Sequence, residues 1–495
     1  MDLPDELLHE VLRRVPPRRL AACRRVCRTW RDAIDGRGLV LEHLPPGPLR
    51  GIFVDFFDNF FDNRRHGFFS RAATPPIDGS LGFLPNTSRA WREWNRHWNI
   101  SDHCNGLILF RNGRATYVCN PWTRRWAKLP WPAAGFPHGR GHLVFDPTLS
   151  LHYRVMCFPG VPKRPSPPVY PPPAKKPRGR YSLVTWTSTY VENLPLSLRE
   201  SYEQEVESMG SMEWPPYSYA VQMFSSATGQ WEDRHFVRQG DAVTTVSGMW
   251  SNPLADGVHG CHTAVCWQGA FYIIRSGGFI MRFSLLEDKY VTIKTPTLAQ
   301  KLASHTNDYG YRIRPCLYLG KSKQGLYLTA HEGYELRIWI MHGVSESCHM
   351  PEWELKHQVD FKPSFSRFYT SNNTRKEVES WILDISEEGL NDRGDQGWDS
   401  EDDSIIDAEG GIGNNLQGET KKCYGVHLLG YHPCKEIIFL GNRYNGFAYY
   451  LGSSKLQYLG KLYPAGDTLL IMMSYITSFI YTPCKDDLLP AQNDR

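Results

Sequence analysis

Histidine and cysteine side chains crowd together at one place in the sequence. His259, Cys261 and His262 stand within four residues of one another, and Cys266 follows in an apolar run. Imidazole and thiolate groups are preferred zinc ligands, but structural zinc sites normally use Cys-x-x-Cys or spaced His pairs separated by a longer loop. Because Cys261 and Cys266 fall in what reads as a buried strand, we expect core thiols here and no metal.

A phosphate-binding loop is suggested by Gly320-Lys321-Ser322. The first glycine of Gly-x4-Gly-Lys-Ser is replaced by Pro315, so the pattern fails where the backbone must approach a phosphate. The chain also lacks a Gly-x-Ser-x-Gly elbow and a His-Glu-x-x-His helix. We therefore predict no catalytic site and no cofactor. Paired carboxylates stay an alternative, because their separation cannot be read from a sequence.

Size and composition favour a folded protein of more than one domain. The chain has 495 residues, of which 41% are hydrophobic and 13% aromatic. A chain of this length exceeds what one core usually serves. The net charge of only +4 indicates neither a nucleic-acid partner nor a membrane surface.

Targeting signals are not evident. Met1-Asp2 leads directly into an amphipathic helix, without the apolar region of a secretory signal. The most apolar window, Leu469 to Tyr481, is too short for a membrane span of roughly 20 residues and is expected to be a buried strand. The 12 Cys residues contain no Cys-x-x-Cys pair. We expect reduced thiols and a location in the cytoplasm, the nucleus or both.

The first three dozen residues form an amphipathic helical module. Pro4 suits the first turn of a helix, and Asp5 and Glu6 place negative charge at its N-terminus. A stripe at helical period follows, comprising Leu7, Leu8, Val11, Leu12 and Val15. A second run, from Leu20 to Ile34, predicts two further short helices. Domains below about 40 residues rarely bury so much apolar surface alone, so the surplus should face a partner or the rest of this chain.

This module resembles the F-box motif in the order and spacing of its residues. The resemblance is carried by Leu3-Pro4-Asp5-Glu6-Leu7-Leu8 and by Val26-Cys27-Arg28-Thr29-Trp30-Arg31. It implies docking on the Skp1 subunit of a cullin-RING ubiquitin ligase, while the remainder of the chain selects the substrate. The side chains that the resemblance implies for the Skp1 contact are Leu3, Pro4, Leu7, Leu8, Leu12, Val26, Cys27 and Trp30.

The helical module is also strongly basic, with eight arginines between Arg13 and Arg31. Such a face can steer the encounter with an acidic partner. It can equally be the solvent side of amphipathic helices, and both interpretations can hold together.

Strand-turn units recur at a nearly regular period along the remainder of the chain. The first joins Gly106 to Phe110 with Ala115 to Cys119 through an Asn112-Gly113 turn. Short four-stranded units at such a period are typical of radial blades. We therefore predict a mainly β protein, a β-propeller of six to eight blades with six or seven favoured, preceded by a small three-helix F-box. Leu469 to Tyr481 stands where it would close the ring on the first blade.

A second resemblance supports this architecture. His103-Cys104-Asn105-Gly106-Leu107 and Cys119-Asn120-Pro121-Trp122 resemble the F-box-associated propeller region common in large plant F-box families. This resemblance is confined to the neighbourhood of 103–126, and the other blades are predicted from pattern alone.

The predicted domains are an F-box at 1–40, a connector with short aromatic strands at 41–100, and a propeller at 101–485. Two insertions interrupt the propeller: a Pro-rich basic one at 159–180 and an acidic one at 387–417, expected to be disordered. The basic insertion could bind an SH3-like groove, serve nuclear import through Lys175 to Arg178, or touch nucleic acid. A solvated loop is the favoured interpretation. Ser201 to Glu213 is expected to be a short helix or a loop.

Taken together, the sequence predicts a non-catalytic substrate receptor. It would bind a Skp1-like protein, reach the cullin and RING subunits through it, and present an unidentified protein substrate, without a nucleic-acid or membrane partner. The alternatives are a propeller hydrolase or lyase with a helical cap, and a Skp1-binding scaffold without a role in ubiquitylation.

Overall fold

The computed structural model describes most of the chain from residue 49 onwards. Before that point it describes Leu8, Val11, Leu12, Cys23, Thr29 and Trp30, all of them helical. The other described residues are 49–58, 63–71, 77–85, 99–112, 115–131, 141–147, 150–168, 191–192, 194–251, 264–275, 277–296, 316–321, 325–341, 352–371, 381–384, 405–407, 425–442, 445–462, 473–484 and 488–490.

The described part of the chain after residue 49 is built mainly from antiparallel β-strands. It opens with the pair β1 (Gly51–Asp58) and β2 (Asn63–Arg71). Four-stranded meanders follow, which we name blades 1 to 5. The strands of blade 1 are β3 (Asn99–Cys104), β4 (Leu107–Asn112), β5 (Ala115–Asn120) and β6 (Arg125–Lys128).

Blade 2 is interrupted by an excursion. Its four strands are β7 (Gly141–Val144), β8 (Arg154–Cys157), β10 (Ser218–Ser225) and β11 (Gln230–Gln239). Between β8 and β10 lie helix α1 (Leu196–Gly210) and the short strand β9 (Glu213–Trp214). β9 pairs with β12 (Thr244–Thr245), which leads into helix α2 (Val246–Trp250).

Blades 3, 4 and 5 follow the same plan. The strands of blade 3 are β13 (Ala264–Trp267), β14 (Ala270–Arg275), β15 (Phe279–Ser284) and β16 (Lys289–Lys294). Those of blade 4 are β17 (Cys316–Lys321), β18 (Leu326–Glu332), β19 (Glu335–Met341) and β20 (Glu354–Asp360), followed by helix α3 (Lys362–Ser371). Blade 5 comes after β21 (Trp381–Asp384) and β22 (Ile405–Asp407) and consists of β23 (Val426–Tyr431), β24 (Ile437–Asn442), β25 (Asn445–Tyr450) and β26 (Lys455–Lys461).

Tight turns with left-handed residues join the first two strands of blades 1 and 3. Asn105 and Gly106 have φ of 45° and 88°, and Gln268 and Gly269 have φ of 47° and 71°. Two consecutive residues with positive φ are what a type I′ hairpin requires, and its twist matches that of the flanking strands. The same turn chemistry therefore sets the register of both hairpins.

A sixth blade closes the ring from both halves of the chain. β27 (Met473–Tyr481) pairs with β1, β1 pairs with β2, and β2 pairs with β21. We name this sheet, in the order β27-β1-β2-β21, the closing blade. β27, from the C-terminal part of the chain, thus covers one edge of β1, and β21 covers the outer edge of β2, so neither β1 nor β2 has an open edge.

Apolar side chains fill every boundary between neighbouring blades. The boundary between the closing blade and blade 1 is packed with aromatic rings, among them Phe53, Phe68, Phe110, Phe479 and Tyr481. A larger cluster joins blades 1, 2 and 3, and separate clusters join blades 3 and 4, blades 4 and 5, and blade 5 with the closing blade. This continuous sequence of contacts defines a six-bladed propeller in the described part of the chain.

The structure confirms the predicted propeller and refines its boundaries. The strand expected near the end of the chain does close the ring, but its partner is β1 instead of a strand of the blade at 99–128. The expected connector at 41–100 therefore contributes β1 and β2 to the ring. Their aromatic side chains were visible in the sequence, whereas the strand that pairs with β1 comes from the far end of the chain.

The structure also shows which parts of the predicted insertions and of Ser201 to Glu213 form helix or strand. The segment Ser201 to Glu213 belongs largely to α1, so of the two expectations the helix is confirmed. In the acidic insertion, Ile405–Asp407 forms a strand on β26, which differs from the expected disorder at these three residues. The rest of 387–417 lies outside the described residues, as does 169–180 of the basic insertion.

Gly106 provides a test of the ring closure. A Cβ atom at Gly106 would lie 2.3 Å from the backbone nitrogen of Cys484, just after β27. At Gly229, φ is also positive (71°) but a Cβ would meet nothing within 4 Å. Gly229→Ala should cost about 1 kcal/mol, the usual penalty of left-handed backbone. Gly106→Ala should cost about 3 kcal/mol or more, because the clash adds to that penalty. Denaturant unfolding measures both, and equal losses would show that residue 484 does not pack on blade 1 as described.

Candidate functional site

The described residues of the N-terminal helices divide into buried and exposed side chains. Leu8 and Leu12 are buried within the chain itself, Cys23 and Trp30 are half-buried, and 51% of Val11 is exposed. Helical spacing explains the contrast between Leu8 and Leu12, which share a face, and Val11, which is turned from Leu12 by about 100°. Of the described residues in this part of the helix, Val11 carries the exposed apolar surface.

Five of the predicted Skp1-binding residues lie outside the described residues: Leu3, Pro4, Leu7, Val26 and Cys27. Of the other three, Trp30 retains exposed surface, whereas Leu8 and Leu12 do not. Their contact with Skp1 stays a prediction. Val11 belongs to the predicted apolar stripe but not to the predicted set of Skp1-binding residues. Its position on the stripe is the sequence signal that could have added it to that set.

The first motif that resembles the F-box-associated propeller region, at 103–107, connects blade 1 to blade 2 together with the preceding Asp102. The buried Asp102 carboxylate accepts a hydrogen bond from the Leu143 backbone N–H (2.8 Å) and lies 3.3 Å from Nδ1 of His142. The Cys104 thiol and the Asn105 amide both donate to the Phe145 carbonyl, at 3.0 and 2.7 Å. A carboxylate, a thiol and an amide of blade 1 thus form hydrogen bonds with β7, the first strand of blade 2, and with Phe145, which follows it.

The second motif that resembles the F-box-associated propeller region, at 119–122, binds the segment that follows β27. Asn120 is fully buried, and its amide donates to the Cys484 carbonyl (2.8 Å) while its oxygen accepts from the Trp122 backbone N–H (3.0 Å). The Tyr481 hydroxyl accepts from the same N–H. Both motifs that carried the resemblance therefore join neighbouring blades.

Cys266 is the described member of the proposed zinc set and lies in the core on β13. Its thiol hydrogen bonds to Cys104, and this contact together with burial raises the pKa of Cys266 well above its usual value. A zinc ligand must be a thiolate, so the surroundings of Cys266 favour the core-thiol interpretation. His259, Cys261 and His262 lie outside the described residues.

Gly320 and Lys321 form the end of strand β17 and not a loop. The Lys321 ammonium donates to the Cys266 carbonyl at 2.9 Å, across the boundary between blades 3 and 4. This position explains why the incomplete phosphate-loop pattern has no phosphate-binding geometry. Within the described residues, no group of three or more His, Cys, Asp or Glu side chains is placed to hold a metal ion.

The Pro-rich segment 159–168 is docked on the excursion of blade 2. Its carbonyls at Pro159, Pro162 and Pro165 accept hydrogen bonds from the Tyr219 hydroxyl (3.0 Å), the Trp250 indole (2.7 Å) and the Tyr202 hydroxyl (3.3 Å) respectively. The three carbonyls are spaced three residues apart in the sequence. Residues 159–168 are exposed or half-exposed and form neither helix nor strand, as expected of a solvated loop. Aromatic donors from α1, β10 and α2 also attach the segment to the propeller.

The same excursion carries much of the exposed apolar surface. Leu196 and Leu198 lie on α1, and Met212 and Tyr217 follow the helix before β10 begins. Their exposed fractions run from 38% for Leu198 to 70% for Leu196. Sequence reasoning missed this surface, because a stretch of alternating charged and apolar residues did not reveal which side would face the propeller.

No helix in the described residues is long and apolar enough to cross a membrane.

Burial lowers the pKa of several histidines, and this predicts a dependence of stability on pH. The His103 ring stacks on Phe479 with centroids 4.2 Å apart, and burial lowers its pKa to about 4 against a rise from Asp102 and a further lowering from Lys321. Burial likewise lowers the pKa of His331 to about 3 and that of His432 to about 4. Unfolded histidines bind protons below about pH 6.5, so folding stability should fall as pH decreases from 6.5 towards 4.

His103→Phe should reduce this dependence, because phenylalanine keeps the stack and binds no proton. Between pH 7.5 and pH 5.5 the variant should lose about 1 kcal/mol less than the wild type. Denaturant unfolding at the two pH values measures the difference, with the exposed His152→Gln as control. An identical pH response in wild type and His103→Phe would contradict the assignment.

Comparison with known proteins supports the F-box interpretation of the N-terminal helical module. Residues 1–46 match the F-box domain. F-box only protein 17 of Rattus norvegicus is 54% identical over 44 residues, which cover 9% of this chain and 18% of that protein. Two putative F-box proteins of Arabidopsis thaliana are 26% and 28% identical over 157 and 158 residues. Each match covers 32% of this chain and spans about two fifths of the length of the relative (42% and 40%).

Solved propellers resemble the chain only distantly. A structure described as YCF48 bound to D1 peptide covers 84% of this chain and 85% of its own, at 8% identity and a TM-score of 0.28. The β-propeller domain of Cps50 (Swd1) from Myceliophteria thermophila covers 84% and 97%, at 10% identity and a TM-score of 0.26. The propeller assignment rests on the strand pairing described above. Residues 1–46 of the chain therefore match the F-box domain, the chain resembles plant F-box proteins, and a β-propeller follows in the sequence.

Proposed function

We propose that this protein is the substrate-recognition subunit of an SCF (Skp1-cullin-F-box) ubiquitin ligase. The observation that carries the proposal is the F-box match at residues 1–46, which precedes a ring closed by its own strands. The F-box would bind a Skp1-like protein and through it the cullin and RING subunits. The propeller would hold a protein substrate within reach of the ubiquitin-charged E2.

The exposed surface of the helical module supports this role. Val11 is half exposed and Trp30 is half-buried in the described structure. Protein interfaces concentrate their binding energy in a few such apolar and aromatic anchors, which lose their remaining exposure in the complex. A contact with Skp1 would bury both side chains.

The propeller has the character of a binding scaffold. Its blades are joined by apolar clusters and by hydrogen bonds such as that from the Leu143 N–H to Asp102. A rigid ring positions surface loops for recognition at low entropic cost. We infer a non-catalytic adaptor, in line with the resemblance to F-box proteins. Its location in the cytoplasm, the nucleus or both belongs to the same proposal.

Co-purification with Skp1 tests the proposal. Val11→Asp and Trp30→Ala, each in the full chain, should reduce the recovered Skp1 at least tenfold, because they remove exposed or half-exposed apolar surface at the contact, worth about 1.5 to 3 kcal/mol for a large side chain. Leu286→Asp is the matched control, since Leu286 is 92% exposed on the β15–β16 turn of blade 3 and far in sequence from the F-box. Recovery that is equal for all variants would exclude the proposed docking.

A second measurement separates the receptor from a scaffold that binds Skp1 without delivering a substrate. With a receptor, proteins bound to the propeller should become ubiquitylated in a reconstituted ligase and should accumulate when Trp30→Ala replaces the wild type. A wild type that recovers Skp1 but leaves the bound proteins without ubiquitin would favour the scaffold.

A further inference from the structure

Two thiols from different blades meet at one end of the ring. Cys104 is the last residue of β3, and Cys266 is the last but one of β13. β3 contacts β7, β13 contacts β17, and β17 contacts β23, so the first strands of the blades surround the axis of the ring. Because the blades follow one meander plan, their first strands end on the same face. The ends of the first strands of blades 1 and 3 therefore bring both cysteines to this face.

The hydrogen bonds of the two side chains agree with this placement. The Cys104 thiol donates to the Phe145 carbonyl just after β7, at 3.0 Å. The thiol of Cys266 hydrogen bonds to that of Cys104, and both side chains belong to the apolar cluster that joins blades 1, 2 and 3. We name Cys104 and Cys266 the dithiol pair. Its two sulfurs are neighbours, which is the first requirement for a bond between them.

The charges around the dithiol pair make its two thiols unequal. The Lys321 ammonium, at the end of β17, donates to the Cys266 carbonyl at 2.9 Å. The hydrogen bond from Cys266 and the charge of Lys321 lower the pKa of Cys104, against burial and Asp102. The contact with Cys104 and burial raise the pKa of Cys266 well above its usual value. His103 adds no charge near neutral pH, because burial lowers its pKa to about 4. Cys104 is thus the nucleophile of the pair, since the reactive form is the thiolate.

Two other core cysteines show the contrast. Cys104 and Cys266 each retain 9% exposure, whereas Cys119 and Cys157 are completely buried. Burial raises the pKa of Cys157 to about 12, against a lowering by Arg111, and raises the pKa of Cys119 as well. A thiol with so high a pKa forms almost no thiolate near neutral pH. Cys119 and Cys157 are therefore inert core thiols, and the dithiol pair has a different chemistry.

We propose that Cys104 and Cys266 form a reversible disulfide when the protein meets hydrogen peroxide. The Cys104 thiolate attacks one peroxide oxygen, so that an S–O bond forms, the O–O bond breaks, and the departing hydroxide takes up the proton that Cys104 released. The Cys266 sulfur then attacks the sulfenic acid at Cys104. The S–S bond forms, the S–O bond breaks, and the hydroxyl leaves as water with the proton of Cys266. The two thiols lose two electrons, and the peroxide becomes two waters. A reducing dithiol restores both cysteines by thiol–disulfide exchange.

The disulfide links blade 1 to blade 3 across blade 2. It closes a long loop in the unfolded chain, and such a constraint stabilises the folded state. Disulfides in reducing compartments are usually transient and catalytic or redox-sensing, which suits a pair that is oxidised and reduced again. The dithiol pair is thus a modification site that tightens the ring under oxidation, whether or not the chain binds Skp1.

Peptide mapping of the full-length protein tests the proposal. The fully reduced protein is treated with a small molar excess of hydrogen peroxide, its remaining thiols are alkylated in denaturant, and the digest is analysed by mass spectrometry. We expect two peptides joined through Cys104 and Cys266, which separate when dithiothreitol is added. The absence of this linked pair would overturn the proposal, as would a disulfide that joins Cys104 to a different cysteine instead.

Single variants separate the two steps. Cys266→Ser should stop the reaction at the sulfenic acid of Cys104, which dimedone labels, because serine keeps a hydroxyl donor but cannot form the disulfide. Cys157→Ala is the matched control, a core thiol of blade 2 whose loss should leave the yield of the linked pair within twofold of the wild type. Dimedone labelling that spares Cys104 in Cys266→Ser would contradict its assignment as the nucleophile and overturn the proposed sequence.

The lysine and the stability of the ring give two further measurements. Lys321→Gln keeps an amide donor for the Cys266 carbonyl but removes the charge, so the disulfide should form about threefold more slowly or less. The oxidised wild type should unfold at a higher temperature than the reduced protein, whereas peroxide should leave the midpoint of Cys266→Ser without such a rise. Equal midpoints of oxidised and reduced wild type would overturn the proposed tightening of the ring.

Discussion

The pairing of β27 with β1 is the constraint on which the rest of the propeller depends. Each blade buries its faces against two neighbours, so an open ring would expose the apolar faces of the closing blade and blade 1. The closure joins residues from opposite ends of the described chain, and the entropic cost of such a loop grows only slowly with its length. Asn120 reinforces it by donating to the Cys484 carbonyl, 364 residues away in sequence. The ring is therefore one cooperative unit in which distant segments stabilise each other.

This dependence on distant pairing also explains what the sequence could and could not predict. Local signals sufficed for the blade period and for the hairpins of blades 1 and 3, because alternation and turn residues act within a few positions. They also sufficed for the F-box domain. The partner of β27 could not be predicted, since a strand of suitable composition fits several edges and only the completed ring selects one. For the same reason β1 and β2 were expected in a connector.

The Pro-rich segment shows the same limit at a smaller scale. Its composition predicted a segment without helix or strand, which 159–168 is, but not the surface on which it lies. The carbonyls of Pro159, Pro162 and Pro165 accept hydrogen bonds from Tyr219, Trp250 and Tyr202 respectively. Proline lacks a backbone N–H, so the carbonyls of this segment have no ladder to join and need side-chain donors. Aromatic residues supply these donors, and aromatic side chains likewise line the grooves that bind Pro-rich peptides.

Two surfaces of opposite character follow from this arrangement. The N-terminal module has eight arginines between residues 13 and 31 and, at Val11 and Trp30, exposed or half-exposed apolar groups. Helix α1 on blade 2 has a formal charge of −3. A charged protein segment that is attracted to one of these surfaces is repelled by the other, because bringing like charges together costs binding energy. Under the proposed function, this difference in charge would keep a basic protein segment away from the F-box, where Skp1 would bind.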